Sequence, residues 1–215
     1  MIGLYVTVPI ACFRKGLARE YLETEPVPPP STCYGFLLSL VGETNRWKHL
    51  GCRVTPMLLN KPVTSVVLRT IWRIKDKKLP IGSGVNVRPD FQQLLSQVGL
   101  IIWLDSSGES NGSLECRVKD ALENPETVTR FGGLSLGESS HLVDDVCILD
   151  SRRIGLLEKM GIEKGDIFLT SPQGKMTLPI WVDHVGASGT RYANGDLISS
   201  TFCTPEAARM PLIHQ

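Results

Sequence analysis

The spacing of apolar positions changes several times along the chain, and each change marks an element. Residues 2–8 are rich in β-formers and alternate, which predicts a strand at the start. Pro26, Pro28, Pro29 and Pro30 then forbid regular structure, and Ser31 or Thr32 is placed to cap a helix after them. Tyr34, Leu37, Leu38 and Val41 fall at i, i+3, i+4 and i+7, Phe36 and Leu40 widen that face, and Gly42 is placed to end it. This spacing predicts a helix largely buried against a sheet.

Residues 54–59 and 63–74 read as two strands around a turn at Asn60-Lys61-Pro62. Residues 98–104 form a continuous apolar run, which predicts a central strand, whereas 91–97 fits helix or strand by pattern. Leu114, Val118, Ala121 and Leu122 predict a second helix that Asn124-Pro125 stops. Strand, helix, strands, helix, strand is the order of a split β-α-β sheet. From Leu142 onward, short strands are expected at 143–149, 167–170, 178–185 and 197–202, separated by turns rich in Gly and Pro. The reading is an α+β chain with a main domain over 1–141 and a small β-rich C-terminal domain over 142–215.

Length and apolar content suffice to bury a core. No apolar run approaches the roughly 20 residues of a membrane span, and the start carries no charged leader, so the expectation is a cytoplasmic chain with no membrane contact. Cys12, Cys33, Cys52, Cys116, Cys147 and Cys203 form no C-x-x-C pair, which argues against zinc and against a disulfide framework. No metal and no cofactor are expected, and the thiols are expected reduced and mostly buried. The net charge of +1 conceals a split. Residues 1–90 carry 13 Lys/Arg against 6 acids, a balance of +7, and residues 91–215 carry 10 against 16, a balance of −6. Such polarity suits a basic surface for nucleic acid and an acidic one for a neighbouring subunit, although a solvated charged face would read the same way.

The basic residues concentrate in three segments. Arg14, Lys15 and Arg19 lie on a connection, Arg69 and Arg73 lie among β-branched residues, and residues 75–88 form a basic excursion carrying Lys75, Lys77, Lys78 and Arg88. That excursion reads as a projecting, flexible hairpin or finger, or alternatively as a disordered surface loop. Thr129-Arg130-Phe131-Gly132-Gly133-Leu134-Ser135-Leu136-Gly137-Glu138-Ser139-Ser140-His141 nearly matches two catalytic signatures and completes neither. Gly132 and Gly137 have phosphate-loop spacing, but Glu138 and Ser139 stand where Lys and Ser/Thr belong, and an acid there would repel phosphates. Gly133 to Gly137 also spells a nucleophile elbow, which needs a buried strand before it and a helix after it, and Asn124-Pro125-Glu126 leaves little room for that strand. The loop reads either as a tight turn or as a glycine loop whose bare backbone N–H groups meet an anion or RNA.

Pro28-Pro29-Pro30-Ser31-Thr32-Cys33-Tyr34-Gly35-Phe36-Leu37-Leu38-Ser39-Leu40-Val41-Gly42-Glu43 resembles the first helix of the CRISPR-associated Cas-five family, a RAMP superfamily subunit of type I Cascade. Arg88-Pro89-Asp90-Phe91-Gln92-Gln93-Leu94-Leu95 and residues 130–143 are similar to two further motifs of that family, closest to subtype I-B and Myxococcus-type members. The resemblance implies a ferredoxin-like, RRM-type (RAMP) domain with a basic β-hairpin thumb and a small C-terminal β-rich domain. It implies a non-catalytic role in a cytoplasmic ribonucleoprotein complex for antiviral defence. The subunit would grip the 5′ handle of the CRISPR RNA, bridge the Cascade large subunit to the first backbone subunit, and meet target DNA through the complex. The thumb is expected at 75–88, with the Asn60 turn as the alternative.

Guanidinium forks hold phosphate at two points, ammonium adds point charge, and RNA bases stack on aromatic or guanidinium planes. The expected RNA-binding set is therefore Arg14, Lys15, Arg69, Arg73, Lys75, Lys77, Lys78, Arg88, Arg130, Phe131, Gly132, Gly133, Ser135 and Ser139. Each could instead be a surface residue. Tyr34, on the apolar helix face, reads as core. Some relatives cleave precursor RNA without metal, and Lys48-His49 invites that comparison, with His49 as general base. No motif carries their catalytic positions here, and a loop histidine beside lysine reads as a surface residue. His141, beside Asp144 and Asp145, reads as orienting a turn or capping the following strand. A serine hydrolase built on Ser135, Asp183 and His184 is the remote alternative, and adjacent strand residues pointing to opposite faces oppose it.

Overall fold

The computed structural model describes residues 1–16, 18, 21–72, 74–183 and 188–215. The opening β-formers make β1 (Ile2–Ala11), and a short β2 (Tyr21–Leu22) comes next. The proline run delivers α1 (Pro30–Leu40). Its start differs from the expected hydroxyl cap. Pro29 takes the cap position with no side-chain hydrogen bond, and Pro30 begins the helix, because its fixed φ and missing N–H cost nothing in a first turn. Gly42, at φ +65°, ends the helix as expected, with Gly42 N–H donating to Ser39 O and Glu43 N–H to Leu38 O.

Next come β3 (Arg53–Leu58), β4 (Val63–Trp72) and β5 (Val87–Asp105). Residues 91–97, undecided by pattern, are strand and continuous with the apolar run after them. The remaining elements are α2 (Leu114–Glu123), β6 (Asp145–Ile148), α3 (Ser151–Lys159), β7 (Gly165–Thr170), β8 (Met176–Trp181) and β9 (Arg191–Ser200). The sequence reading did not foresee α3. Asp150 caps it by accepting from Arg153 N–H at 2.7 Å, but its apolar residues are few and only Leu157 is buried.

One sheet runs in the order β6-β1-β5-β3-β7-β9-β8, and every pairing along that path is antiparallel. The result is a mixed α and β fold dominated by antiparallel pairing. α1 packs on β3 and β8, and α2 packs on α1 and β6. Beneath them lies the main core, with Leu4, Val6, Leu37, Val54, Leu100, Ile102 and Leu104 all fully buried. Met57, Ile101, Trp103, Ile167 and Leu157 form a second cluster. Both faces of β5 are therefore covered, which explains why 98–104 reads as an unbroken apolar run.

At Gln97, φ is +58°, a left-handed conformation rare for a side-chain-bearing residue. The pairing with β1 is interrupted there for the one pair Pro9 and Gln97, with the register unchanged from Val8↔Val98 to Ile10↔Ser96. Asn60 clamps the kink, donating to Gln97 O at 2.7 Å and accepting from Gly99 N–H at 2.9 Å. Toward its N-terminal end β5 exchanges β3 for β4, pairing with it from Val63↔Ser96 to Trp72↔Val87, while β1 stays alongside as far as Ala11↔Leu95 and β2 pairs at Phe91 and Gln92. This long β4–β5 hairpin carries residues 75–86 at its tip.

Candidate nucleic-acid interface

Register divides the hairpin into two unlike faces, because directly paired residues share a side. Arg69, Arg88, Asp90 and Gln92 lie on one face, with Val63 and Val67 nearer its base; Val66, Leu68, Thr70, Trp72, Val87 and Phe91 lie on the other, with Gln93. The second face is apolar and open, with Leu68 63%, Trp72 67% and Phe91 52% exposed. The hairpin is thus longer than the expected thumb at 75–88, and its tip is built rather than loose. Asn86, almost fully buried, accepts from Lys75 N–H at 2.8 Å and Asp76 N–H at 3.0 Å, and donates to Asp76 O at 2.9 Å. Lys75, Lys77 and Lys78 point outward around this anchor and are exposed.

The polar face meets the glycine loop. Arg69 donates to Glu138 at 2.9 Å and also to Gln92, whose amide donates to Glu138 at 3.0 Å. Glu138, the residue that spoils a phosphate-loop match, is therefore the loop's tether to the hairpin. Burial would push its carboxyl up, but hydrogen bonds from Arg69 and Gln92 outweigh that and hold it below the usual carboxylate range. His141 closes the loop from beneath: its Nδ1 accepts from Glu138 N–H at 3.2 Å and from Cys12 N–H at 3.1 Å. Gly137, at φ +105°, lies so close to Cys12 O that a Cβ there would stand 2.7 Å from it. Ser135 bridges back to Leu142. A short 3₁₀ turn at Pro125–Thr127 precedes the loop, so the strand–turn–helix of a nucleophile elbow is not built.

The N-terminal basic segment joins the same assembly. Arg14 bridges to Thr24, whose N–H donates to Gln93 of β5 at 3.1 Å, and Phe13 N–H donates to Thr24 Oγ1 at 2.8 Å. Lys15 pairs with Glu23 at 3.6 Å. Segment 12–24 thus ties the glycine loop, through Cys12, to the hairpin, through Thr24. The N-terminal basic segment, the basic hairpin and the glycine loop, far apart in sequence, are fastened into one unit.

The expected residues take distinct places in it. Arg88 pairs with buried Asp90 at 3.2 Å. Arg130 is half-buried, Phe131 stands fully in solvent, and Gly132, Gly133 and Ser139 are exposed. Arg73, together with Arg19 and His184, lies outside the described residues.

His49 departs from expectation. It is completely buried, with Nδ1 2.5 Å from Glu109 and Nε2 3.0 Å from Arg117. Arg117 also bonds Glu43, and Lys48 reaches the same carboxylate at 2.8 Å, holding Glu43 down at about 2. This network staples loop 43–51 to α2, and the imidazole is not offered to a ligand. The thiols divide evenly rather than being mostly buried: Cys12, Cys33 and Cys52 are buried, Cys147 is half-buried, and Cys116 and Cys203 are exposed. Among the described residues no cluster of His, Cys, Asp and Glu could hold a metal, and no helix is long and apolar enough to cross a membrane.

Sequence reasoning missed a groove of about 420 Å³ beside the glycine loop, lined by Thr32, Gly35, Ser39, Arg46, Ser135 and Trp181 among others. The Arg46 guanidinium lies 3.7 Å from the Trp181 ring centre and donates to Val182 O at 2.6 Å. Tyr34 is core, as expected, and its hydroxyl donates to Arg46 O at 2.7 Å, which fixes the backbone of that arginine. Trp47, 55% exposed, leans on Trp181 with ring centres 6.4 Å apart. The only signal in the sequence was the dipeptide Arg46-Trp47.

A mixed α and β fold of this kind, with an antiparallel sheet extended into a basic hairpin, has a solved counterpart. A chain of a CRISPR RNA-guided surveillance complex superposes with a TM-score of 0.57 at 15% identity, covering 93% of this chain and 89% of that one. A second solved chain, described as a Cas protein, aligns at 15% identity over 98% of this chain and 97% of its own, with a TM-score of 0.48. No protein-family model matches the sequence. Over 215 residues the chain is 51% identical to CRISPR-associated protein Cas5 of Myxococcus xanthus (strain DK1622), spanning 99% of this chain and 97% of that one. The chain belongs to the CRISPR-associated Cas5 family.

Proposed function

We propose that this chain is a non-catalytic subunit of a type I CRISPR surveillance complex, holding the 5′ handle of the CRISPR RNA on the unit formed by segment 12–24, the β4–β5 hairpin and the glycine loop. The observation that carries the reading is the tether between Arg69 and Glu138, which sets exposed Phe131 and the open glycines beside the hairpin that bears Lys75, Lys77, Lys78 and Arg88. Single-stranded RNA asks for that combination of cations, free backbone N–H groups and an aromatic ring. The order β1, α1, β3, β5, α2, β6 with spatial order β6-β1-β5-β3 supports a ferredoxin-like RAMP core, with the hairpin as its thumb.

The division at 141/142 belongs to the same reading. The C-terminal part supplies β7, β8 and β9 and sends β6 to the edge beside β1. The apolar hairpin face with Leu68, Trp72 and Phe91 suits a protein neighbour, and contact with a backbone subunit and a large subunit is part of the proposal, with target DNA met through the complex. Burial of His49 and its two ring partners supports a binding role over metal-free RNA cleavage.

The test is a gel-shift titration of the purified chain, alone and with its co-expressed neighbours, against its own repeat RNA and a scrambled control in EDTA. Handle-dependent binding without cutting is expected. No preference even with partners would sink the assignment, and cutting that survives EDTA would replace it with a ribonuclease.

A further inference from the structure

The groove beside the glycine loop has a floor of small residues on α1 and a wall that stacks. Thr32, Gly35 and Ser39 recur on one side of α1, and a Cβ at Gly35 would meet nothing within 4 Å. Across from them stand Arg46 and Trp181, with the guanidinium plane already stacked on the indole and held there by Val182 O. Ser135 and Gly137 of the glycine loop line the same groove, and the next residue, Glu138, ties that loop to Arg69. The space is therefore continuous with the track proposed for the RNA backbone. Ser31, Thr32, Ser39 and Ser135 line it with hydroxyl side chains, and Arg46 is the charged residue of the lining. The hydroxyls are donors and acceptors for a neutral polar edge rather than for a phosphate. The aromatic and guanidinium surfaces favour a flat ring.

We propose that this groove takes one unstacked nucleobase of the bound RNA, with Arg46, backed by Trp181, as its stacking platform and the α1 hydroxyls reading its edge. This rests on the RNA-binding reading above. A strand lying over the glycine loop turns one base toward α1, where Gly35 leaves room for it, and the neighbouring phosphates stay with the loop and the hairpin. Loss of one base–aromatic stack weakens binding roughly 5- to 150-fold by general experience with single-stranded sites.

The experiment uses the co-expressed complex and the repeat-derived RNA of its own locus, with a series of oligonucleotides each abasic at one handle position. Two variants are compared with wild type. Gly35→Leu fills the groove from a helix position that improves helix propensity, and Arg46→Ala removes the guanidinium plane on which the base would stack. Wild type is expected to lose affinity at one abasic position in particular. Each variant is expected to bind intact RNA at least about fivefold more weakly and to be indifferent to that same abasic position. Variants that bind intact RNA as tightly as wild type overturn the proposal while leaving the handle-binding function in place. Variants that weaken intact and abasic RNA equally also overturn it, because the effect would not depend on a base. Wild type without any preference for repeat RNA removes the RNA-binding reading itself, and this inference with it.

Discussion

Arg69, on β4 of the hairpin, and Glu138, in the glycine loop, form an ion pair at 2.9 Å across 69 residues of sequence, and Gln92 bonds both partners. Neither residue is free to serve the RNA with its full charge. Their joint product is the relative position of two loops. Glu138→Ala is expected to cost about 1 kcal/mol, since Arg69 is largely solvated and an exposed pair is worth little. Affinity for the RNA should fall with the slope of log K against log salt unchanged, because no phosphate contact is removed. A changed slope would mean that Arg69 or its neighbours contact phosphate directly.

His141 gives the same assembly a pH dependence. Its Nδ1 accepts two backbone N–H groups, so it must be unprotonated, and burial pushes its pKa below the usual 6.5, with Glu138 opposing that shift and Arg69 adding to it. The unfolded chain takes up a proton near pH 6.5 that the folded chain refuses. Stability is therefore complete above that value and declines as the pH falls through the lower folded-state pKa. Urea midpoints at pH 7.5 and 5.5 should show this decline. In His141→Asn, whose side-chain oxygen can accept the same N–H groups without titrating, the decline should shrink.

Gly137 is confined from two directions, by φ +105° and by Cys12 O lying 2.7 Å from where a Cβ would be. Gly137→Ala is expected to destabilise by about 1–3 kcal/mol, as other forced left-handed positions do, and to loosen the loop against segment 12–24. Gly132, also at positive φ, has nothing within 4 Å, so Gly132→Ala should cost only the conformational part, about 1 kcal/mol. Thermal melts of the pair separate close approach from backbone conformation.

The elements whose signal is local were legible. Alternation gave β1, a 3.6-residue period gave α1, and an apolar run gave the core of β5. The strand over 91–97 was not legible, because Gln92 and Gln93 are interior to a hairpin pinned by β4 and by Thr24, contacts that no local pattern records. α3 was missed because it buries only Leu157. At the site, the basic residues were readable one by one, whereas their union depends on Thr24, His141 and Glu138, which carry no charge pattern of their own. His49 shows the reverse error. Its sequence neighbours Trp47 and Lys48 are exposed, yet Glu109 and Arg117, distant in sequence, draw the imidazole fully inside.

That burial separates a structural histidine from a catalytic one. His49→Ala would take the imidazole from the buried Glu109 carboxylate and leave it the Leu114 N–H donor at 3.1 Å, and is expected to cost about 2–3 kcal/mol in urea unfolding. Wild type is expected to leave repeat RNA intact in EDTA. Cutting by wild type that His49→Ala abolishes, with the fold preserved, would restore the ribonuclease reading.

The tip lysines carry the strongest salt prediction. Lys75, Lys77 and Lys78 are exposed, and the buried Asn86 side chain holds the backbone beneath them through Lys75 N–H and Asp76 N–H. Their charge and their placement can be removed separately. Changing all three to Ala should weaken RNA binding and reduce the salt slope by about 2, at roughly 0.7 for each single-strand phosphate no longer neutralised. Asn86→Ala keeps every charge but leaves two N–H groups and two or more carbonyls of the tip without their anchor, so it should weaken binding with a smaller change in slope. Equal slopes in the triple variant and wild type would remove the tip from the RNA track and leave Arg14, Lys15, Arg88 and Arg130 to supply the cations.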